Sequence, residues 1–356
     1  ARLPTQDTPN MLTSSARKSI TSRSCSSTMP AFANERATSR AVTTPATPSK
    51  RPPSGTVSEC EPIRIVPVPG LLPARRPITV HDLLTFTCGY GAIMVWPQKH
   101  PIQNAVAEAG LAPGPDQLDL SADEFMKRLG SLPLVHQPGE RWLYHTGSDI
   151  LGVLIARASG QSFEAFLRDH LFGPLGMRDT GFVVPAAARG RLTSAYRMDP
   201  ASRTLTFFDD ARDSRWLKPP PFAAGGSGLV STADDCLAFF RMLLATGVHG
   251  SERILSRPAV ALMMSDQLVP EQRQGAELFF GSGASWGMGG AVVTRRTHLF
   301  TTPGRYGWDG GYGTSGHADP AEEMVGILLA QRMMDSPQPP RVFSDFWTGA
   351  YQDIDD

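Results

Sequence analysis

Lysine is scarce in this chain of 356 residues, in which only five of the 34 basic side chains are lysines. The formal net charge is zero, which argues against electrostatic capture of nucleic acid or of an anionic membrane. No apolar run reaches the length of a membrane span, and residues 1–30 lack the apolar core of a signal peptide. We therefore expect a cytoplasmic protein with no membrane span and no nucleic-acid partner.

Cysteine is also rare, and the four cysteines follow no CxxC or metal-ligand spacing. They are Cys25, Cys60, Cys88 and Cys236. Scattered cysteines of this kind are free thiols by default. Because metal-binding and nucleotide-binding motifs are absent as well, the sequence predicts no metal and no cofactor.

The composition of the chain changes near residue 75. Residues 1–75 are crowded with Ser, Thr, Pro and Arg and show neither helical nor strand periodicity. Such a segment cannot bury enough apolar surface to order itself, so we predict that it is largely disordered. Residues 76–356 have the patterning of a packed domain, which we divide into a helical lobe at about 80–220 and a sheet with a closing helix at about 280–356.

Periodicity predicts helices in the first part of that domain and strands in the last part. The helices are expected at 80–86, 122–129, 150–160, 162–171, 233–244 and 342–351, and the strands at 286–293, 297–300 and 324–331. Ser121 and Thr232 are expected as N-caps, and Gly160 as a helix end. Helices followed by consecutive strands predict an α+β fold with an antiparallel sheet.

Glycine is dense in Gly307–Ser315, which reads Gly-Trp-Asp-Gly-Gly-Tyr-Gly-Thr-Ser and precedes the apolar run Met324–Leu329. Exposed N–H groups beside a glycine turn form one kind of oxyanion hole, and an ordinary β-turn is the alternative. Two further segments accompany it, Pro138–Gly147 before the helix at 150 and Gly225–Thr232 before the helix at 233.

Taken in order with Ile78–Thr85, these segments resemble the serine β-lactamase-related family over residues 76–356. The family includes class C β-lactamases, D,D-peptidases and carboxylesterases of β-lactamase fold, and the resemblance is closest to the esterase-like branch. It implies an antiparallel sheet flanked by helices plus a mainly helical lobe. Because only fourteen residues precede Ser15, we expect the strands that family members carry before their nucleophile to be missing from this sequence.

The resemblance also implies a serine nucleophile followed three residues later by lysine, on one face of a helix turn. Ser15 and Lys18 form the chain's single Ser-x-x-Lys, and a solvated lysine in a disordered tail is the alternative reading. Tyr144 matches the tyrosine of the family's Tyr-x-Asn motif, whose phenol acts with lysine in proton transfer. Thr146 stands where the family often has asparagine.

Trp308, Asp309 and Gly310 occupy the slot of the family's Lys-Thr-Gly or His-Thr-Gly, where a cation engages a substrate carboxylate. Tryptophan carries no charge, and Asp309 would repel an anion if it pointed inward, although Arg305 could compensate. We therefore expect a neutral ester as the small-molecule substrate. The resemblance implies that the N–H groups of Ser15 and Gly311 donate to the oxyanion. It also implies that the proton relay of Lys18 and Tyr144 activates the water that hydrolyses the acyl-enzyme.

Other residues of the motifs carry weaker signals. His145 and His317 flank the motifs, where a single histidine is more often a surface or supporting group. Ser227 and Ser315 lie among glycines, but neither completes a Gly-x-Ser-x-Gly elbow.

Two alternatives stay open at this point. One is a D,D-peptidase or β-lactamase on the same scaffold, and the other is an inactive or truncated member that acts at most as a binding protein. The sequence does not indicate the oligomeric state. A further hypothesis is that residues from about 23 to 72 are an out-of-frame translation, or a misassigned start, joined to an authentic domain.

Overall fold

The structure, a computed structural model, describes residues 73–354 except 95, 96, 98, 99, 115 and 116. Within these residues the helices are α1 (Val80–Leu84), α2 (Pro101–Glu108), α3 (Ala122–Gly130), α4 (Thr146–Ser159), α5 (Phe163–Leu167), α6 (Gly173–Leu175), α7 (Ala233–Leu244), α8 (Arg257–Met263), α9 (Glu277–Phe280) and α10 (Arg341–Gln352). The strands are β1 (Ala195–Met198), β2 (Leu205–Asp209), β3 (Val248–His249), β4 (Glu252–Arg253), β5 (Ala284–Trp286), β6 (Ala291–Val293), β7 (Tyr306–Gly310), β8 (Thr314–Asp319) and β9 (Met324–Leu329).

Side-chain caps define where several helices begin, as the sequence predicts. The Ser121 hydroxyl accepts a hydrogen bond from the N–H of Glu124 at 3.2 Å at the start of α3. Thr232 accepts one from Asp235, also at 3.2 Å, at the start of α7. At the other end of α4, Gly160 takes the left-handed conformation, with φ of 69°, that stops a helix.

Other boundaries differ from the predictions. The helix expected at 150–160 begins one turn earlier, at Thr146. The segment predicted as one strand at 286–293 is a hairpin, because the N–H of Gly287 bonds to the carbonyl of Gly290 and turns the chain between β5 and β6. The strand predicted at 297–300 is wrong, since the N–H groups of Thr297 and His298 both donate to the hydroxyl of Thr301 instead of to a neighbouring strand.

The main sheet of the described residues has five antiparallel strands in the order β5-β6-β7-β8-β9. All of them come from residues 284–329, after the helical part, which confirms the predicted α+β fold. In β7 and β8, Trp308 pairs with Gly316 and Asp309 with Ser315. Residues paired in this way share a face of the sheet, so the two pairs lie on opposite faces.

Each face of the sheet packs against a helix. A Cβ on Gly316 would lie 2.8 Å from the ring of Phe240, so α7 covers the face that carries Trp308. On the other face, Phe343, Trp347 and Tyr351 of α10 form a buried cluster, so the aromatic side chains of the last helix belong to the core. The site described below lies at the end of β7, between these two layers.

Among the described helices, none alone has both the length and the apolar composition needed to cross a bilayer. The segments Thr146–Ser159 and Phe163–Leu175 have the required length and apolar composition only when they are counted together, and the chain bends by 83° between them.

The contact between α10 and the sheet generates a stability prediction. A Cβ at Gly326 of β9 would overlap the buried indole ring of Trp347. We expect Gly326→Ala to lower the free energy of unfolding by about 1–3 kcal/mol, because a packed core has no space for an added methyl group. Chemical denaturation of the two proteins measures this difference.

Gly349 of α10 provides the matched control, because it is exposed and nothing lies within 4 Å of the position of its Cβ. Gly349→Ala should be neutral or stabilise the protein by up to about 1 kcal/mol, since alanine favours a helix over glycine. Equal effects of the two substitutions would contradict the packing of Trp347 on β9.

Candidate active site

A cavity of about 860 Å³ opens at the end of β7, next to the start of α4. Tyr144, Trp308, Asp309, Gly310 and Gly311 all contribute to its walls, so the structure brings together five of the residues that the sequence singled out. The rest of the wall is largely apolar and includes Trp216, Phe279, Tyr312, Leu329, Met333 and Met334. A cavity of this size and lining fits a small organic substrate.

Tyr144 and Trp308 are joined directly. The indole N–H of Trp308 donates a hydrogen bond to the hydroxyl oxygen of Tyr144 at 3.1 Å. The Tyr144 ring also stacks on Phe279, with centroids 5.2 Å apart. Burial raises the pKa of the Tyr144 phenol, and the bond from Trp308 opposes that shift only in part. In these surroundings the phenol is protonated at neutral pH and is a proton donor.

Three further aromatic side chains pack against Tyr144 and Trp308. Phe86 and Trp142 lie about 6 Å from the Tyr144 ring, and Trp286 meets Trp308 edge to face at 5.0 Å. The three supporting side chains are buried and belong to one hydrophobic cluster. Aromatic packing of this kind limits the rotation of both rings, so the hydroxyl and the indole N–H are held in place before a substrate arrives.

Asp309 has its carboxylate on the other face of β7. Its Oδ1 accepts a hydrogen bond from the Ser315 hydroxyl at 2.5 Å, and the indole N–H of Trp347 in α10 donates to the same hydroxyl at 2.9 Å. Burial raises the pKa of the Asp309 carboxyl, while the bond from Ser315 lowers it. The carboxylate therefore points toward α10 and not toward the Trp308 side of the strand.

Arg305 does not line the cavity. Its guanidinium lies 4.0 Å above the Trp347 ring and 5.6 Å from that of Phe300. Its Nε and one terminal nitrogen are buried and have no hydrogen-bond partner among the described residues. The Arg305 guanidinium, which could have replaced the missing cation beside Trp308, therefore lies on the α10 side of the sheet.

The glycine turn follows Trp308 and Asp309 directly. Gly313 closes it with an N–H bond to the carbonyl of Gly310 at 2.9 Å, and Gly311 lies at its exposed tip. The Gly311 carbonyl accepts from Met334, whereas its N–H has no acceptor in the part of the chain that the structure describes. An N–H group in this state at a cavity wall can bind a developing oxyanion.

The other predicted site residues lie elsewhere. Ser15 and Lys18, the predicted nucleophile and base, are outside the described residues. Thr146 begins α4 and lines a smaller neighbouring cavity together with His145 and Asp149, not the large cavity beside Trp308.

Sequence reasoning missed Asp149 and Gly226. The Asp149 carboxylate accepts a hydrogen bond from the Gly226 N–H at 2.8 Å and faces Nδ1 of His145 at 3.6 Å. The spacing of four residues between His145 and Asp149 at the start of a helix was the signal that could have revealed the pair.

Two groups with nucleophilic or basic side chains are buried away from the cavity. Ser315 is 1% exposed and its hydroxyl is engaged by Asp309 and Trp347. Burial lowers the pKa of His317 well below its ordinary value, so this ring is neutral. Neither is placed to act on a substrate. Among the described residues, no group of three or more His, Cys, Asp or Glu side chains is arranged to hold a metal ion.

Comparison with known proteins agrees with this geometry. A sequence model of the Beta-lactamase family matches residues 61–341. Protein Rv1367c of Mycobacterium tuberculosis (strain ATCC 25618 / H37Rv) is 37% identical over 274 residues, which are 74% of this chain and 64% of that protein. Esterase EstB of Burkholderia gladioli is 30% identical over 292 residues, covering 74% of this chain and 69% of that protein.

Solved structures share the fold. The structure of EstCE1, a hydrolase with promiscuous acyltransferase activity, superposes with a TM-score of 0.64 at 24% identity, covering 78% of this chain and 73% of that one. The alignments with Protein Rv1367c and with a second Mycobacterium tuberculosis protein, also 37% identical, span 64% of the length of each.

The buried carboxyl of Asp309 generates a prediction on pH dependence. Because its folded pKa is raised, the folded state binds the proton more tightly than the unfolded chain and loses stability as pH rises from about 4 through that pKa. Asparagine keeps the oxygen that accepts from Ser315 but has no titrating proton. We expect Asp309→Asn to gain stability relative to wild type as pH rises from about 4 to about 8, measured by chemical denaturation.

Asp210 supplies a control of opposite sign, since the hydrogen bond from Arg212 lowers its pKa to about 2. For Asp210→Asn the wild type should gain the advantage as pH rises from about 2 to about 4, by a small amount because solvent screens this exposed pair, and the difference should then stay constant up to about pH 8. A difference between wild type and Asp309→Asn that does not change with pH would refute the burial of the Asp309 carboxyl.

Proposed function

The chain belongs to the β-lactamase family of hydrolases, and from that membership we propose that it is a serine carboxylesterase that cleaves neutral esters through an acyl-enzyme. The observation that carries the proposal is the hydrogen bond from the Trp308 indole to the Tyr144 hydroxyl in a cavity that also contains the Gly311 turn. It combines a proton-transfer group, an uncharged partner and an oxyanion donor.

In the proposed reaction Ser15 attacks the ester carbonyl carbon and forms the acyl-enzyme. Lys18 accepts the proton of the serine hydroxyl, the Tyr144 phenol donates its proton to the oxygen of the leaving alcohol, and Lys18 returns a proton to Tyr144. The N–H groups of Ser15 and Gly311 bind the oxyanion that develops on the carbonyl oxygen. Water then releases the acid from the serine.

The preference for neutral esters follows from charge. Trp308 presents an indole where a cation would bind a carboxylate, and both Arg305 and the Asp309 carboxylate are engaged on the α10 side. Near Trp308 the wall formed by Phe279 and Met333 is apolar. Arg191, which lines another part of the cavity, is already ion-paired with Asp179. Beside Trp308 an anionic substrate would therefore lose its hydration without gaining an opposite charge, whereas an uncharged acyl group gains by burial.

The name Esterase EstB supports an ester substrate, and the chain is 30% identical to that protein. A D,D-peptidase or β-lactamase activity on the same scaffold and an inactive chain are the outcomes that the following tests separate from the proposal.

The nucleophile is tested by covalent labelling. We expect a fluorophosphonate probe to add one phosphonyl group to the wild-type chain at Ser15, because the proposed relay activates this hydroxyl, and to leave Ser15→Ala unlabelled. Peptide mass spectrometry identifies the modified residue. Ser315→Ala controls for nonspecific loss of reactivity, since the Ser315 hydroxyl is buried and hydrogen-bonded. Labelling at another serine would reassign the nucleophile, and no labelling would favour an inactive chain.

Substrate charge is tested by comparing two chromogenic compounds. We expect kcat/KM for p-nitrophenyl butyrate to exceed that for nitrocefin by more than about tenfold. The missing charge-assisted hydrogen bond to the nitrocefin carboxylate is worth about 1.5–3 kcal/mol, and 1.4 kcal/mol is a factor of ten. Rates within tenfold of each other would contradict the esterase proposal and favour a β-lactamase or peptidase.

A further inference from the structure

His145 and Asp149 form a pair at the cavity that the proposed reaction has not used. His145 follows Tyr144 in the chain, and Asp149 lies one helical turn further along, in α4. Nδ1 of His145 is 3.6 Å from Oδ2 of Asp149, and the two side chains are only 16% and 7% exposed. In an arrangement of this kind a carboxylate orients the neighbouring imidazole ring and stabilises its charged form.

Gly226 creates the space for this pair. A Cβ at Gly226 would lie 2.5 Å from Nδ1 of His145 and 2.9 Å from Oδ1 of Asp149. The Gly226 N–H instead donates to Oδ1 at 2.8 Å, so one carboxylate oxygen holds the glycine loop and the other faces the imidazole. The loop residues Gly226, Ser227 and Gly228 form part of the cavity wall.

The orientation of the imidazole ring leaves one nitrogen for the cavity. Nδ1 of His145 is buried and has no hydrogen-bond partner within the described residues, while the ring itself lines the cavity beside Tyr144. A carboxylate next to Nδ1 favours the tautomer with its proton on that atom. Nε2 then carries the lone pair and is the nitrogen available to a water molecule in the cavity.

Tyr144 is less suited to activate water. Its hydroxyl oxygen already accepts from Trp308, and burial keeps the phenol protonated. A neutral imidazole is the side chain that accepts a proton most readily near neutral pH. The two groups thus divide acid and base roles between neighbouring residues, whose rings lie 4.6 Å apart.

We propose that His145 is the general base of deacylation and that Asp149 is its positioning residue. Nε2 removes a proton from water while the water oxygen bonds to the acyl carbon. The tetrahedral intermediate then breaks its bond to the serine oxygen, which recovers the proton from the imidazolium, and the carboxylic acid leaves. This step rests on the proposed acyl-enzyme and requires no reactant other than water.

His145→Gln tests the step, because glutamine has similar length and polarity but cannot accept the proton. With p-nitrophenyl butyrate we expect the burst of p-nitrophenol to persist, within about threefold of its wild-type rate, while steady-state kcat falls by about 10²–10⁴. KM should fall with kcat, since the acyl-enzyme accumulates. Intact-protein mass spectrometry should show that adduct in His145→Gln and little of it in wild type.

Two further measurements separate catalysis from a structural role. Hydroxylamine, which is more nucleophilic than water, should accelerate turnover of His145→Gln by a larger factor than wild type. Asp149→Asn keeps an acceptor for the Gly226 N–H but loses the charge, so we expect a smaller loss in the same deacylation step. His249→Gln, in the β3–β4 hairpin, is the matched control and should leave both steps unchanged.

The outcomes are distinguishable. If His145→Gln slows acylation and deacylation equally, or changes neither, His145 is not the base and only this step is overturned. If wild type and all variants hydrolyse the ester without any adduct or burst, even after rapid quenching of His145→Gln, the acyl-enzyme itself is refuted and the proposed function fails with it.

Discussion

The alternation of side chains along β7 is the constraint on which the rest of the site depends. Trp308 faces the cavity and donates to Tyr144, and the next residue, Asp309, faces α10 and accepts from Ser315. Because adjacent side chains of a strand point to opposite faces, the β7 backbone cannot turn Trp308 away from the cavity without also turning Asp309 away from α10. The hydrogen bonds from Ser315 to Asp309 and from Trp347 to Ser315 therefore favour the strand orientation in which Trp308 faces the Tyr144 phenol. The packing of the last helix is in this way connected to the geometry of the cavity.

The two faces of β7 also divide polarity and charge. On the cavity face, aromatic rings enclose Tyr144 and keep its hydroxyl protonated, so the group is a hydrogen-bond donor held in an apolar wall. On the α10 face, buried carboxyl groups of Asp309 and Asp319 lie within the electrostatic influence of Arg305. Burying a charge is costly unless opposite charges accompany it. Arg305 offsets the carboxyl groups there, and its position on that side leaves the part of the wall beside Trp308 without a cation; Arg191, on another part of the wall, is ion-paired with Asp179.

Local rules of sequence were sufficient for much of the fold and insufficient for the turns. Ser121 and Thr232 cap helices and Gly160 ends one, because each effect depends on a few neighbouring residues. The hairpin at 286–293 was missed because Gly287 and Gly290 hydrogen-bond across a tight turn inside what reads as one apolar strand. The prediction of a strand at 297–300 was wrong because the Thr301 hydroxyl accepts the hydrogen bonds of the backbone N–H groups there. The alternation of apolar and polar residues does not reveal such a bond.

The candidate site shows the same division. The sequence pattern, with its family resemblance, grouped Tyr144 with the Trp308 turn, and the structure places them around one cavity. It left open the direction of Asp309, which depends on its cross-strand partner Ser315, and that of Arg305, which depends on α10. Nor did it reveal that Asp149 reaches Gly226, a residue 77 positions later in the chain. Contacts between distant segments decide these orientations, and no short-range pattern encodes them.

The glycine loop at Gly226 shows why such long-range contacts matter for chemistry. A side chain at this position would separate the loop from α4 and displace the imidazole of His145, so the missing Cβ is what allows a carboxylate, a histidine and a backbone N–H to meet. Because Asp149 is almost fully buried, its charge is costly unless its oxygens have partners; the Gly226 N–H donates to Oδ1, and Oδ2 faces the imidazole of His145. These two groups lower the pKa of the Asp149 carboxyl, but burial is the larger effect and leaves that pKa raised, so the cost of burial is offset only in part. The bond from Gly226 connects the loop before α7 to the helix that follows Tyr144, and this loop forms part of the cavity wall.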